Sequence, residues 1–198
     1  MARPREFDET EVLDRALETF WSKGFDGTSI QDLIASTGLA RASLYGAFGD
    51  KSLLYQRVLE HYAARMSADG GHGAMVTVDA ALPLRAALEQ LLVGWVGLTC
   101  PKAGPRGCFL VLAGTQGNDN AFAREALSAA LRKTERLLSD VLRRGQERGE
   151  LAAGCDVSAL ARLLVVLVQG ISICARAGWG QDRLRSVVDE MLDLAMPD

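Results

Sequence analysis

The 198-residue sequence contains only two histidines, His61 and His72, and only four cysteines, which lack the paired C-x-x-C spacing of a zinc site. We therefore expect neither a structural metal nor a cofactor. No pair of carboxylates stands out, and neither histidine is placed to act as a base beside a cysteine, so an enzyme is disfavoured. The four cysteines are Cys100, Cys108, Cys155 and Cys174.

Proline is also scarce, with five residues, and no segment sustains the alternation of apolar and polar residues that marks a β-strand. Most glycines lie between segments of helical periodicity. Because 48% of the residues are hydrophobic, the chain has enough apolar material for a core. These features predict an all-α fold.

The sequence shows no signal peptide, since its opening MARPREFDETEV is charged and lacks an apolar centre. The apolar run from Leu160 to Ile173 is interrupted by Arg162 and Gln169, and we expect it to be too short to span a bilayer. A cytoplasmic protein without a membrane partner is predicted. Its cysteines should then be reduced thiols.

An excess of positive charge is missing as well. The net charge is −3, and residues 1–66 carry eight Lys or Arg against ten Asp or Glu. This balance is unfavourable for nucleic-acid binding, because neutralised phosphates supply much of the affinity. However, most of the acids lie between Glu6 and Glu18, whereas Arg41 and Lys51 fall where they could face a DNA backbone. For DNA binding, the positions of the basic residues should therefore matter more than the net charge.

One organised stretch runs from Thr28 to Lys51. Thr28 can cap a helix, and Gln31 three residues later completes a capping box. Gly38 suits the left-handed conformation that ends a helix, and a second short helix follows from Leu39 to Tyr45. Two short helices joined by a tight turn predict a helix-turn-helix, whose second helix enters the DNA major groove.

The same stretch resembles the DNA-binding domain of the TetR/AcrR family of transcriptional repressors. The resemblance covers about Phe7 to Tyr62, and residues 148–151 before a long apolar helix also resemble the family. It implies a three-helix DNA-binding domain followed by a helical domain for ligand binding and dimerisation. The motifs that carry it are Gly24-Phe25-x-Gly27-Thr28-Ser29-Ile30, Thr37-Gly38-Leu39 and Leu44-Tyr45-x-x-Phe48-Gly49-x-Lys51-x-x-Leu54.

Three side chains of the second helix suit the reading of bases. Arg41 can pair with a guanine edge, Ala42 can touch a thymine methyl, and Ser43 can hydrogen-bond several bases. The resemblance implies the same tasks for these positions. The sequence departs from the family at Ala40, where relatives usually have a capping serine, and at the small pair Gly46-Ala47. These departures predict weaker anchoring to the DNA backbone.

Three other residues are predicted to contact phosphates. Thr28 lies at a helix start, Tyr45 has the length to deliver its hydroxyl, and the resemblance implies a phosphate-contacting lysine at Lys51. Arg3 and Arg5 in the N-terminal arm either contact DNA or belong to a solvated terminus, and the sequence favours neither interpretation.

The predicted organisation is a DNA-binding domain at 1–50, a connecting helix at 51–66 and a second domain at 67–198 that opens with a glycine-rich hinge. We expect the second domain to enclose a mostly apolar pocket for an aromatic or lipophilic effector, although the same side chains could be plain core. The expected lining residues are Tyr62, Trp95, Cys108, Phe109, Leu112, Gln116, Phe122 and Gln169.

The segment from Val157 to Ala177 is apolar nearly all round, so it must be covered on two sides. Because a domain of this size can cover only one side, we expect a homodimer in which two helices of each chain form a four-helix bundle. The predicted interface residues are Leu160, Leu164, Val168, Leu184, Val188 and Met191.

Outside the predicted helix-turn-helix, Cys108 is the one side chain that suggests a reactive group. A helix start and Arg106 two residues earlier should lower the pKa of its thiol, and the Gly107-Cys108 pair resembles family members that sense oxidants or electrophiles. Free cysteine is more commonly a small buried hydrophobe, and this interpretation of Cys108 is favoured over sensing. A thiol-dependent enzyme and a protein-binding adaptor are the alternatives to a ligand-responsive repressor of a palindromic operator, and whether the chain represses or activates stays open.

Overall fold

The computed structural model of the chain describes residues 7–68, 81–115 and 121–196, and the backbone alone for 67 and 68. The predicted arm with Arg3 and Arg5, the hinge beyond residue 68, His72 and Gln116 lie outside these ranges. The described residues form helices and no strand, which confirms the all-α fold. The helices are α1 (Glu9–Gly27), α2 (Ile30–Thr37), α3 (Arg41–Phe48), α4 (Lys51–Ala68), α5 (Leu84–Thr99), α6 (Phe109–Thr115), α7 (Ala121–Glu147), α8 (Val157–Arg176) and α9 (Gln181–Ala195).

The start of α2 differs from the prediction by one residue. Ser29, not Thr28, is the N-cap: its Oγ accepts from the Asp32 amide, and the Asp32 carboxylate accepts from the Ser29 amide. Thr28 is 1% exposed, and its Oγ donates instead to the carbonyl of Gly24 at 2.6 Å. Gly24 has a φ of 74°, which kinks the end of α1 and turns this carbonyl toward Thr28. The capping box with Gln31 is therefore wrong.

The turn between α2 and α3 and the start of α4 follow the sequence signals. Gly38 ends α2 with a φ of 72°, the left-handed conformation that a side chain would disfavour. Asp50 caps α4, since its carboxylate accepts from the amide of Leu53 at 2.9 Å. Leu54, Val58 and Tyr62 recur at helical spacing along α4, and all three are buried.

Side-chain ion pairs connect α1 to α4. The Asp14 Oδ1 atom of α1 lies 2.6 Å from Arg65 Nη1 and 2.8 Å from His61 Nε2, both of which belong to α4. Nearer the start of both helices, Arg57 pairs with Glu9. Such exposed pairs contribute only about 0–1 kcal/mol each, so they orient the two helices more than they stabilise them.

The buried side chains form two clusters. The first contains the inner faces of α1 to α4 together with α6 and the first half of α7, and the second contains α5, the second half of α7, α8 and α9. The packing of α6 against the N-terminal helices was not foreseen by the division at residue 67. Phe109 of α6 is fully buried, with its ring centroid 5.6 Å from that of Tyr62 and 5.9 Å from that of Tyr55.

Four of the six residues predicted for the dimer interface do not reach the surface of the chain. Leu164 and Val168 of α8 and Leu184 and Val188 of α9 are at most 2% exposed, because they fill the second cluster of this same chain. Leu160 and Met191 are half-buried beside it. The exposed apolar residues of α8 are instead Leu163, Val166 and Ile173, at 66%, 68% and 57% exposure. We call these three residues the outer stripe of α8.

By length and composition, α8 is the one helix among residues 7–68, 81–115 and 121–196 that could cross a membrane, with a mean hydropathy of 2.1 over its most apolar window. It is longer than the run from Leu160 to Ile173, so the argument from insufficient length fails. Its inner face nevertheless packs against α5 and α7, where Trp95 Nε1 donates to the carbonyl of Val168 at 2.9 Å and to Ser172 Oγ at 3.0 Å. This half of the helix belongs to a protein core.

The observed cap gives a stability prediction. Replacing Ser29 with Ala should lower the free energy of unfolding by about 1 kcal/mol, because the amide of Asp32 loses its acceptor. Urea denaturation measures the change. Ser52→Ala is the control, since Ser52 is an exposed serine inside α4, where alanine is the better helix former. Equal destabilisation by the two substitutions would contradict the assignment of Ser29 as the cap.

Candidate DNA interface and effector pocket

The α3 helix presents its polar side to solvent and its apolar side to the core. Leu44 and Phe48 are 3% and 5% exposed and pack with α1, α2 and α4, which fixes the orientation of the helix. Every side chain predicted to read bases, Arg41, Ala42 and Ser43, is exposed. The structure thus places these three residues together on one accessible surface.

Arg41 and Tyr45 lie one helical turn apart on this surface. The Arg41 guanidinium lies 5.7 Å from the centroid of the Tyr45 ring, and Tyr45 is 38% exposed. Among the described residues, Arg41 has no carboxylate partner within 4 Å, so its charge is available to an external anion. Ala40 makes no side-chain cap, as expected from the departure noted in the sequence.

Lys51 lies in the first turn of α4, and its ammonium is 4.3 Å from the centroid of the Phe25 ring. This cation–π contact orients the side chain without neutralising it. Thr28 is different: its hydroxyl is buried and already bonded to Gly24, so it cannot serve as the predicted phosphate ligand. Ser29, the exposed cap of α2, occupies the accessible position that was assigned to Thr28.

The acids of the N-terminal helices are compensated within the protein. Besides the α1–α4 pairs, Glu11 pairs with Arg15 and Asp32 with Lys23. The hydrogen bond from Lys23, with those from Ser29, holds the pKa of the Asp32 carboxyl well below its usual range. Each pair uses one base for one acid, so the pairs do not change the net charge of residues 1–66. They do leave Arg41 and Lys51 as the cations of residues 7–66 without a carboxylate partner within 4 Å.

A second concave site is a cavity of about 320 Å³ between the N-terminal helices and α5. Three of the predicted residues, Tyr62, Trp95 and Cys108, contribute to its wall. The lining residues among the described parts of the chain are Leu17, Trp21, Tyr62, Arg65, Met66, Trp95, Leu98, Thr99, Gly107 and Cys108. Gly107 has a φ of 82°, and a Cβ here would lie 2.8 Å from the carbonyl of Ser172, so a side chain is excluded.

The other predicted pocket residues that the structure describes do not line this cavity. Phe109, Leu112 and Phe122 pack in the first core cluster, and Gln169 is half-buried on α8. The contribution of α1 could not be read from the sequence, because Leu17 and Trp21 belong to a stripe that has the spacing of ordinary core. The indole Nε1 of Trp21 is buried without a hydrogen-bond partner among the described residues, a signal that no sequence pattern carries.

Cys108 lies immediately before α6, where its carbonyl accepts from the Leu112 amide. Burial raises the pKa of its thiol, although amides of the following turn and the Tyr62 hydroxyl, 3.8 Å from Sγ, oppose this shift. Arg106 donates to the carbonyl of Trp179 instead of approaching the thiol. The predicted lowering of the Cys108 pKa is therefore wrong.

Two short helices joined by a Gly38 turn, with the second exposing a row of polar side chains, define the chain as a helix-turn-helix protein. Comparison with known proteins agrees. The profile described as "Bacterial regulatory proteins, tetR family" matches residues 12–58, and the profile "Tetracyclin repressor-like, C-terminal domain" matches residues 84–191. The chain belongs to the TetR family of transcriptional regulators.

Several relatives match along nearly the whole chain. The HTH-type transcriptional repressor ComR of Escherichia coli (strain K12) is 32% identical over 193 residues, covering 97% of this chain and 90% of ComR. The HTH-type transcriptional regulator YezE of Bacillus subtilis (strain 168) is 29% identical, covering 98% and 99%. A CifR variant with three substituted cysteines, solved with 26-bp double-strand operator DNA, is 34% identical with a TM-score of 0.80, covering 99% and 100%. The chain is thus a transcriptional regulator and not an enzyme.

The buried thiol gives a prediction about reactivity. At pH 7.5, Cys108 should react with iodoacetamide more slowly than Cys155 and Cys174, because burial limits access and its raised pKa reduces the thiolate fraction. Peptide mass spectrometry after timed quenching measures the three rates. In urea, where the fold is lost, the rates should converge. A Cys108 that reacts first in the folded protein would show that its environment activates the thiol.

Proposed function

We propose that this protein is a homodimeric, effector-responsive repressor that acts in the cytoplasm and binds a near-palindromic operator through α3 of each protomer. The observation that carries this proposal is the exposed row on α3, Arg41 to Ser43 with Tyr45, held on a buried Leu44 and Phe48 base. In this proposal, residues 1–50 form the DNA-binding domain and α4 connects it to the remainder. Residues 67–198 bind the partner subunit and, together with residues of α1 and α4, the effector.

The side chains of α3 divide into two groups by what they can reach. Arg41 suits a bidentate contact with the O6 and N7 atoms of guanine, Ser43 can bond several bases, and Ala42 fits a thymine methyl. Tyr45 and Lys51 would contact phosphates, which orient the protein without reading sequence.

This division predicts different outcomes for two substitutions. Arg41→Ala should cost about 1–3 kcal/mol of operator binding and relax base preference at one position of each half-site. Lys51→Ala should weaken operator and random DNA alike. Fluorescence anisotropy with the protein's own promoter region and a scrambled duplex, at fixed salt, measures both.

Arg132→Ala is the matched control, since Arg132 is exposed on α7, away from α3. An Arg41→Ala variant that weakens operator and scrambled DNA equally would remove Arg41 from base reading. Absence of any operator binding by the wild-type protein, with a folded far-UV spectrum, would contradict the proposed function as a whole.

The outer stripe of α8 supports dimerisation. Its three residues recur at spacings of three and seven, so they share one side of the helix, opposite a face that packs against α5 and α7. Water-exposed leucine, valine and isoleucine in one row mark an interaction surface. Pairing α8 with its symmetry mate would bury the stripe in an isologous contact. Two α3 helices about 34–36 Å apart would then match successive major grooves.

The dimer is tested by a charge in the stripe. The double substitution Leu163→Asp and Val166→Asp should give a folded monomer with strongly reduced operator affinity, because the charges cannot be desolvated at the interface. Light scattering after gel filtration measures the mass. Leu53→Asp is the control, since Leu53 is a leucine on α4 with 52% exposure. A double variant that remains dimeric would place the interface elsewhere, and wild-type protein that requires detergent would favour membrane contact for α8.

The cavity supports the effector-responsive part of the proposal. It takes residues from α1 and α4 on one side and from α5 on the other, so a bound molecule touches both the DNA-binding helices and the second domain. To release DNA, the effector must bind the DNA-incompatible arrangement more tightly than the DNA-bound one. Oxidation or alkylation of Cys108 in the same wall is the alternative signal, and rapid reaction of its thiol would support that alternative.

A further inference from the structure

The cavity changes character from its opening to its base. Arg65 is the only charged residue among the described residues that line it, and its side chain is 57% exposed. Leu98 beside the opening is 39% exposed. In contrast, Trp95, Tyr62 and Cys108 are all below 10% exposed and form the base. A molecule that fills this space meets one cation at the opening and apolar or aromatic surface below it.

The base of the cavity disfavours charge. Burial raises the pKa of Tyr62 well above its ordinary value and also raises that of Cys108, so both groups are neutral near pH 7. The Trp95 indole N–H is already donated to Val168 and Ser172, and the Thr99 hydroxyl is donated to the Trp95 carbonyl. Among the described lining groups, only the Trp21 indole N–H is buried without a partner, and one neutral donor cannot replace the hydration shell of a ligand ion.

At the opening, Arg65 has a contact that can be exchanged. Its Nη1 donates to Asp14 Oδ1 at 2.6 Å, and this oxygen also lies 2.8 Å from His61 Nε2. The Asp14 side chain is 43% exposed, and pairs with this exposure contribute little to stability. The guanidinium has five N–H donors, so an incoming oxyanion can bind it in the bidentate geometry that arginine favours.

We propose that this cavity binds an amphipathic organic anion, with its apolar body against Trp21, Tyr62 and Trp95 and its carboxylate or sulfonate on Arg65, in competition with Asp14. This inference rests on the proposed small-molecule effector and specifies its chemical class. The charged group of the ligand stays at the solvent-exposed opening, where the Arg65 guanidinium replaces part of its hydration shell. The apolar body displaces water from the base of the cavity.

The competition connects the ligand to the α1–α4 junction. When Arg65 turns to the ligand, Asp14 keeps only His61, and one of the side-chain links between α1 and α4 is lost while Arg57 and Glu9 remain paired. The helices that support α3 are then less constrained at the end nearest the cavity. By reciprocity, weakening the hold of Asp14 on Arg65 must tighten the binding of an anion.

Two dyes with the same skeleton test the inference without DNA. 8-Anilinonaphthalene-1-sulfonate carries a sulfonate, N-phenyl-1-naphthylamine is its neutral counterpart, and both fluoresce on entering an apolar site. Titration of the full-length chain should show preference for the sulfonate. Arg65→Gln should weaken sulfonate binding about tenfold or more, since a charge-assisted contact is lost, with the neutral dye little changed. Asp14→Asn should tighten sulfonate binding several-fold and leave the neutral dye unchanged.

Arg57→Gln is the matched control, because Arg57 also pairs with α1 from α4 but lies outside the cavity lining. Sulfonate binding that is indifferent to Arg65→Gln, or equally sensitive to Arg57→Gln, would overturn the inference. So would equal loss of both dyes in an Arg65→Gln protein that keeps its thermal midpoint. Operator binding by the same proteins is measured separately. If the protein binds its operator but shows no preference for the sulfonate dye, this inference is wrong while the proposed function stands.

Discussion

The aromatic contacts among α1, α4 and α6 are the packing on which both halves of this regulator depend. Trp21 lies edge-on to Tyr62 with ring centroids 5.2 Å apart, and Phe109 contacts both rings. Truncating a buried ring such as Phe109 typically costs about 3–5 kcal/mol, far more than any exposed ion pair in this region. The same Trp21 and Tyr62 side chains line the cavity. The packing that holds α1 against α4 therefore forms part of the cavity wall.

Net charge is a poor guide to the DNA surface of this protein. The chain is acidic overall, yet Glu9, Glu11, Asp14 and Asp32 are each paired with a basic residue of the same N-terminal helices. Among the described residues of these helices, Arg41 and Lys51 remain without a carboxylate partner, at the start of α3 and at the start of α4. Which acids are paired depends on how α1 and α4 pack against each other. Amino-acid composition carries no information about that packing.

The sequence predicted most of the helices, the turn at Gly38 and the exposed face of α3, because these features follow from caps and periodicity within a few residues. It misplaced features that depend on distant contacts. Two adjacent hydroxyls at Thr28 and Ser29 are equivalent as caps until the kink at Gly24 directs one of them inward. Likewise, α8 is apolar on every side, and its periodicity cannot show that Leu164 meets the chain's own core while Leu163 meets solvent. The cavity combines four separate segments, so no local pattern predicts it.

The inclusion of α6 in the N-terminal core has a consequence for how the chain is made. The cluster that supports the DNA-reading helix is completed by Cys108 to Ala113 and by side chains of α7 as far as Ala130. A nascent chain that has left the ribosome only to residue 66 lacks Phe109, and its Tyr55 and Tyr62 rings have no aromatic neighbour on that side. Completion of the cluster that supports α3 must therefore wait until the chain has been made as far as Ala130. Unfinished chains, and fragments cut after α4, are poorly equipped to occupy an operator in place of the intact regulator.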